Sequence, residues 1–143
     1  MRRTLFSLLV LFSVGSAFAT EKTFKTMHAT DLAALMQAGA PLHLYDVNVE
    51  STRANVGIIP GSKLLSSSNN FNAAKELPTD KKSALVFYCA NTQCTASHTA
   101  AERALHAGFQ NVSVMVDGIY GWQKMGKPVE GVEKKTRAIE PKK

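Results

Sequence analysis

The run Ser83-Ala84-Leu85-Val86-Phe87-Tyr88-Cys89 is the most apolar stretch that follows the first twenty residues. A run this short and continuous suits a strand buried on both faces, the kind found in parallel sheets covered by helices on either side. The flanking sequence agrees. Thr30-Asp31 can cap a helix in which Leu32, Leu35 and Met36 fall at helical spacing until Gly39 stops it. Leu42 to Val47 alternates as a strand, Ile58-Ile59-Pro60-Gly61-Ser62 is a turn, and Leu64-Leu65 is a short apolar step. Ser66 to Asn70 is polar, and a short helix from Phe71 to Leu77 ends before Pro78. From Thr95 to His106 the period is helical and Gly108 closes it, after which Val112, Val114 and Val116 alternate as another strand that Gly118 and Gly121 break. Strands alternating with helices predict one α/β domain with a central, mainly parallel sheet flanked by helices.

The ends read differently. Met1-Arg2-Arg3, the apolar stretch to Phe18 and Ala17-Phe18-Ala19 have the layout of a secretory signal peptide cut after Ala19. An uncleaved anchor is the alternative, but Ser7, Ser13, Gly15 and Ser16 interrupt a core already short for a membrane span. We therefore expect a leader at 1–19, a domain at 20–130, a basic tail at 131–143, and a periplasmic location with no membrane attachment after cleavage. Thr20 to Gln123 carries eight Lys and Arg against eight Asp and Glu, whereas Lys124 to Lys143 carries seven against three. A neutral body with a basic tail lacks the basic, aromatic-bearing face that nucleic-acid binding needs. No nucleic-acid partner is expected. An exported chain lies in an oxidising compartment, where its two cysteines, Cys89 and Cys94, allow one disulfide at most.

Cys89 stands at the carboxyl end of the central strand, and the loop after it feeds a helix. Ligands of open α/β sheets bind outside the carboxyl ends of strands. Loop N–H groups and a helix N-terminus favour an anion there, so Cys89 is expected to have a lowered pKa and to be a thiolate nucleophile. Three roles remain open for Cys94: a resolving thiol for Cys89, the partner in a fixed disulfide, or a passive small residue. A soft Cys89/Cys94/His98 metal set is a further reading, but it lacks a fourth ligand, and no metal or cofactor is expected. Asp46 is expected to anchor neighbouring loops, Trp122 to pack beneath the rim, and Arg53 to be a surface charge unless it faces substrate. His98 is expected as an exposed helix residue or one that tunes the thiolate. Asn111-Val112-Ser113 matches a glycosylation triplet but opens a strand.

Several motifs together resemble a single-domain rhodanese. They are Tyr45-Asp46-Val47, the Gly57-Ile58-Ile59-Pro60-Gly61-Ser62 turn, Val86-Phe87-Tyr88-Cys89, Ala100-Ala101, Gly108-Phe109-Gln110-Asn111-Val112, Gly118-Ile119-Tyr120-Gly121-Trp122 and Gly126-Lys127-Pro128-Val129. In the family's order they span Phe24 to Glu130. The resemblance implies a rhodanese-like fold and a sulfurtransferase. Cys89 would take sulfane sulfur from thiosulfate, polysulfide or a persulfide, hold it as a persulfide, and pass it to cyanide or a thiol, including a protein thiol. It implies a cradle of Ala90, Asn91, Thr92, Gln93, Cys94 and Thr95, with Asp46, Asn48, Ser97 and His98 in support, in a monomer. The chain departs from the family's usual pattern at the loop, which is two residues longer and has no Arg, Lys or Gly. Asn48 stands where Arg is common, and Asp117-Gly118 replaces Gly-Gly. An uncharged loop makes a dianion such as thiosulfate a poorer donor than polysulfides or protein persulfides.

Overall fold

A computed structural model describes residues 23–131. The expected leader lies outside the described residues, as does the expected tail apart from Gly131. Ten elements follow in order: β1 (Lys25–Met27), α1 (Ala29–Gln37), β2 (His43–Asp46), α2 (Glu50–Val56), β3 (Lys63–Leu64), α3 (Ala73–Glu76), β4 (Ala84–Tyr88), α4 (Ala96–His106), β5 (Asn111–Met115) and α5 (Gly118–Lys124). The strands form one sheet in the order β1-β5-β4-β2-β3, and every pairing is parallel. β4 lies at the centre, and the connections leaving β2 and β4 run in opposite directions. Such reversals open a crevice at the carboxyl ends of the strands.

The apolar run is buried on both faces, as its composition requires. Leu85 and Phe87 join Tyr45, Phe71, Ala100, Ala101, Ala104 and Phe109 on the side covered by α3 and α4. Val86 and Tyr88 join Leu32, Leu44, Ile59, Ile119 and Trp122 on the side covered by α1 and α5. The alanines of α4 let that helix lie close to the sheet, which brings its first turn to the end of β4. Trp122 packs as expected, buried with its Nε1–H donating to the Pro128 carbonyl at 2.9 Å.

One reading is corrected, and three elements are added to those expected. α1 begins at Ala29, one residue before Thr30, with His28 at the cap. Asp31 lies within the first turn and accepts from the His28 N–H at 2.9 Å. β1 and α2 carried no usable sequence pattern: β1 has three residues, and α2 has no fully buried residue from which to read a period. Gly118 and Gly121 follow the end of β5, as read, and belong to a helix, α5, that was not expected.

Candidate active site

β4 delivers Cys89 to the crevice with only 2% of its surface exposed. Its carbonyl and that of Ala90 accept from the N–H groups of Ile119 and Tyr120, at 2.9 and 3.1 Å. The start of α5 thus grips the first two residues of the loop. Gly118 makes that grip possible. Its φ is +63°, and a Cβ placed on it would lie 2.3 Å from the carbonyl carbon and oxygen of Ala90. The loop then turns back on itself, with the Cys94 N–H donating to the Asn91 carbonyl at 3.1 Å and the Gln93 N–H to Asn91 Oδ1 at 3.0 Å. Asn91, Thr92, Gln93 and Thr95 are exposed, Ala90 and Cys94 are half-buried, and Ser97 is buried.

Around the Cys89 sulfur the expected ring of N–H donors is incomplete. Cys89 Sγ–H donates to the Cys94 carbonyl at 3.2 Å, and the Ser97 hydroxyl lies 3.3 Å away. Burial pushes the thiol's pKa up, the Cys94 thiol adds to that rise, and Ser97 only partly offsets both. The expected lowered pKa is therefore corrected. In this arrangement the sulfur is a desolvated neutral thiol whose proton is held by a carbonyl. Both cysteines are free.

His98 is half-buried rather than exposed. Its ring meets Phe24 edge-on at 5.4 Å, and its buried Nδ1 has no hydrogen-bond partner among the described residues. No three His, Cys, Asp or Glu side chains gather in a metal-holding group among the described residues. No helix among them is long and apolar enough to cross a membrane.

Asp46 lies one step behind the site and is fully buried. One carboxylate oxygen accepts from the Asn48 N–H at 2.8 Å and from Arg53 Nε at 3.0 Å, and the other from Asn48 Nδ2 at 3.3 Å. Arg53 Nη2 also donates to the carbonyls of Asp46 and Leu65, at 2.9 and 3.1 Å. Asp46 is thus the anchor that was expected. Arg53 is its counter-ion and ties the β2 and β3 ends together, so it is not a free surface charge. Tyr88 performs a similar task for the Ile-Pro-Gly turn, since its hydroxyl accepts from the Ile59 N–H at 2.9 Å and meets Ser62 Oγ at 3.1 Å. Burial drives its pKa strongly upward, so the hydroxyl stays protonated and available to both partners.

Sequence reasoning missed the role of Asp117, although its departure from Gly-Gly was a signal. Its carboxylate caps α1 from outside, accepting from the Ala29 N–H at 2.7 Å and meeting His28 Nδ1 at 3.1 Å. The Ala29 bond and the His28 contact hold its pKa below the usual carboxylate value. His28, Asn91, Thr92, Asp117, Tyr120 and Lys124 line a groove of about 440 Å³ beside the loop, and Cys89 is not among its walls. Asp117→Ala should cost about 1 kcal/mol in urea unfolding at neutral pH, the usual worth of a helix cap. A depressed folded-state pKa stabilises above the ordinary carboxylate pKa and is lost as pH falls through the folded value. The cost should accordingly shrink in acid; a constant cost down to pH 2 would show that the charge contributes nothing.

The family model for the rhodanese-like domain matches residues 28–125. Solved structures share the fold at low identity. The rhodanese-like domain of an Anabaena sp. protein is 23% identical, with a TM-score of 0.65 over 82% of this chain and 87% of that one. The polysulfide-sulfur transferase homodimer of Wolinella succinogenes is 17% identical, with a TM-score of 0.66 over 82% and 85%. The thiosulfate sulfurtransferase of Pseudomonas aeruginosa is 23% identical, with a TM-score of 0.61 over 77% of this chain and 21% of that longer one. No curated protein sequence matches. The motif order, the all-parallel sheet centred on β4 and the family match agree: the chain belongs to the rhodanese-like domain family.

Proposed function

We propose that this protein is an exported sulfurtransferase that moves sulfane sulfur through a persulfide on Cys89 to a thiol or cyanide acceptor. The observation that carries the reading is the placement of Cys89 Sγ at the carboxyl end of β4, against the Ser97 hydroxyl in the first turn of α4. In the first half-reaction Cys89 gives up its proton and the thiolate attacks the donor's sulfane sulfur. That sulfur's bond to the rest of the donor breaks, and the leaving group (sulfite from thiosulfate, or a shortened polysulfide) carries away the electron pair. In the second half-reaction an acceptor thiolate or cyanide attacks the outer sulfur, and Cys89 leaves as thiolate.

Residues Ala90 to Gln93, with Thr95, frame the donor, Ser97 donates to the sulfur, and Asp46 with Asn48 fixes the neighbouring strand end. With no Lys or Arg in the loop, polysulfide and persulfide donors fit better than the thiosulfate dianion. Intact mass of the reduced protein after each donor, before and after cyanide, tests this. One added sulfur on Cys89, removed by cyanide and absent from Cys89→Ser, is the expected result; a protein that never gains sulfur overturns the reading. Because the thiolate is the nucleophile and the Cys89 pKa is raised, loading should climb about tenfold per pH unit between pH 7 and 8. A flat profile would mean that the thiol ionises below pH 7 despite its burial.

A further inference from the structure

We propose that Cys94 is a resolving thiol, and that the protein converts a Cys89 persulfide into free sulfide and a Cys89–Cys94 disulfide. This rests on the sulfurtransferase reading, because it starts from the same persulfide.

Three features of the loop carry it. First, the turn from Asn91 to Cys94 folds the chain back, so that the Cys94 backbone meets the Cys89 sulfur. The Cys94 carbonyl lies 3.2 Å from Cys89 Sγ, and the Cys94 thiol is near enough to push the Cys89 pKa up. That contact is with Sγ itself, which becomes the inner sulfur of a persulfide and is the atom that must be attacked to form a disulfide. Second, the surroundings hold an anion poorly. Cys89 is 2% exposed, the loop has no cationic side chain, and the Cys94 carbonyl presents an oxygen where an anion needs a donor. A negative persulfide is disfavoured there, whereas a disulfide is neutral and needs no counter-charge. Third, Cys94 is half-buried where Cys89 is buried. After the bridge forms, a reducing thiol can approach the outer of its two sulfurs.

The step balances without an oxidant beyond the sulfur donor. Cys94 loses its proton and its thiolate attacks Cys89 Sγ. The Cys89 sulfur–sulfur bond breaks, and the outer sulfur departs with the electron pair as hydrosulfide. The sulfane sulfur is reduced by two electrons, and the two cysteine sulfurs are oxidised by one each. A dithiol reductant returns the pair to two thiols and is itself oxidised to a disulfide, which completes a cycle that reduces sulfane sulfur to sulfide.

The test uses the full mature chain and its Cys94→Ser and Cys94→Ala variants, all reduced, loaded without oxygen with thiosulfate or tetrasulfide and then desalted. Released sulfide is trapped and counted, and intact mass with peptide mapping follows the cysteines. The wild type should release one sulfide per chain and become two hydrogens lighter than the reduced protein. Both Cys94 variants should stay one sulfur heavier at Cys89 and release sulfide at least about tenfold more slowly. A wild type that keeps its sulfur on Cys89 as long as the variants do overturns the proposal, and so does sulfur found on Cys94 as a persulfide. If neither the wild type nor the variants take up sulfur, the sulfurtransferase reading falls and this proposal falls with it.

Discussion

Arg53→Ala should destabilise the protein by about 3–5 kcal/mol, the cost of leaving one member of a buried ion pair alone. The Asp46 side chain is 0% exposed and that of Arg53 only 13%, so water cannot replace the guanidinium. After the substitution the carboxylate keeps its two bonds from Asn48 but loses its counter-charge, and the Leu65 carbonyl loses the Arg53 donor. That cost is a large part of the ~5–15 kcal/mol that holds a typical domain folded. Adding Asp46→Asn to the same chain should recover part of the loss, because the stranded charge is removed while an acceptor remains for the Asn48 N–H. Urea unfolding of the two variants measures both effects. A loss under about 1 kcal/mol for Arg53→Ala would place this pair with the weak, solvent-screened kind.

Gly118→Ala should damage the site severely. An alanine at φ +63° costs about 1–2 kcal/mol for its left-handed backbone alone. Here the new Cβ would also run into the Ala90 peptide, which is backbone and cannot rotate aside. The loop must retreat, and the bonds from Ile119 to Cys89 and from Tyr120 to Ala90 go with it. A shift of about 1 Å at a reacting group can lower a rate by around a hundredfold, which is the loss expected in sulfur loading. Gly39→Ala is the control. Its φ of +66° imposes the same backbone strain, but nothing lies within 4 Å of the added carbon. It should lose stability and keep its loading rate. Equal loading by the two variants would remove Gly118 from the construction of the site.

Both predictions concern contacts that no local pattern announces. Arg53 sits on a helix without a fully buried residue, seven positions from its carboxylate. Gly118 stands beside Ala90 only because β5 returns the chain next to β4. Distance in sequence likewise hid Asp117, whose carboxylate caps a helix 88 residues earlier, and the packing of the His98 ring against Phe24. The Cys89 pKa was misjudged for a related reason. A strand end feeding a helix promises donors, but whether a peptide turns its N–H or its carbonyl toward the sulfur is settled by the fold of the six intervening residues.

What the chain determined by itself is what short-range periodicity can encode. Continuous apolarity made β4 a doubly buried strand, small residues at helical spacing let α4 pack on it, and alternation placed β2 and β5. Together these specified an α/β domain with Cys89 at its crevice. The tertiary structure alone decided which charges are buried, which glycine is needed, and that the Cys94 carbonyl faces the sulfur. Those outcomes depend on segments far apart in sequence, brought together only when both faces of the sheet are covered and water is excluded from between them.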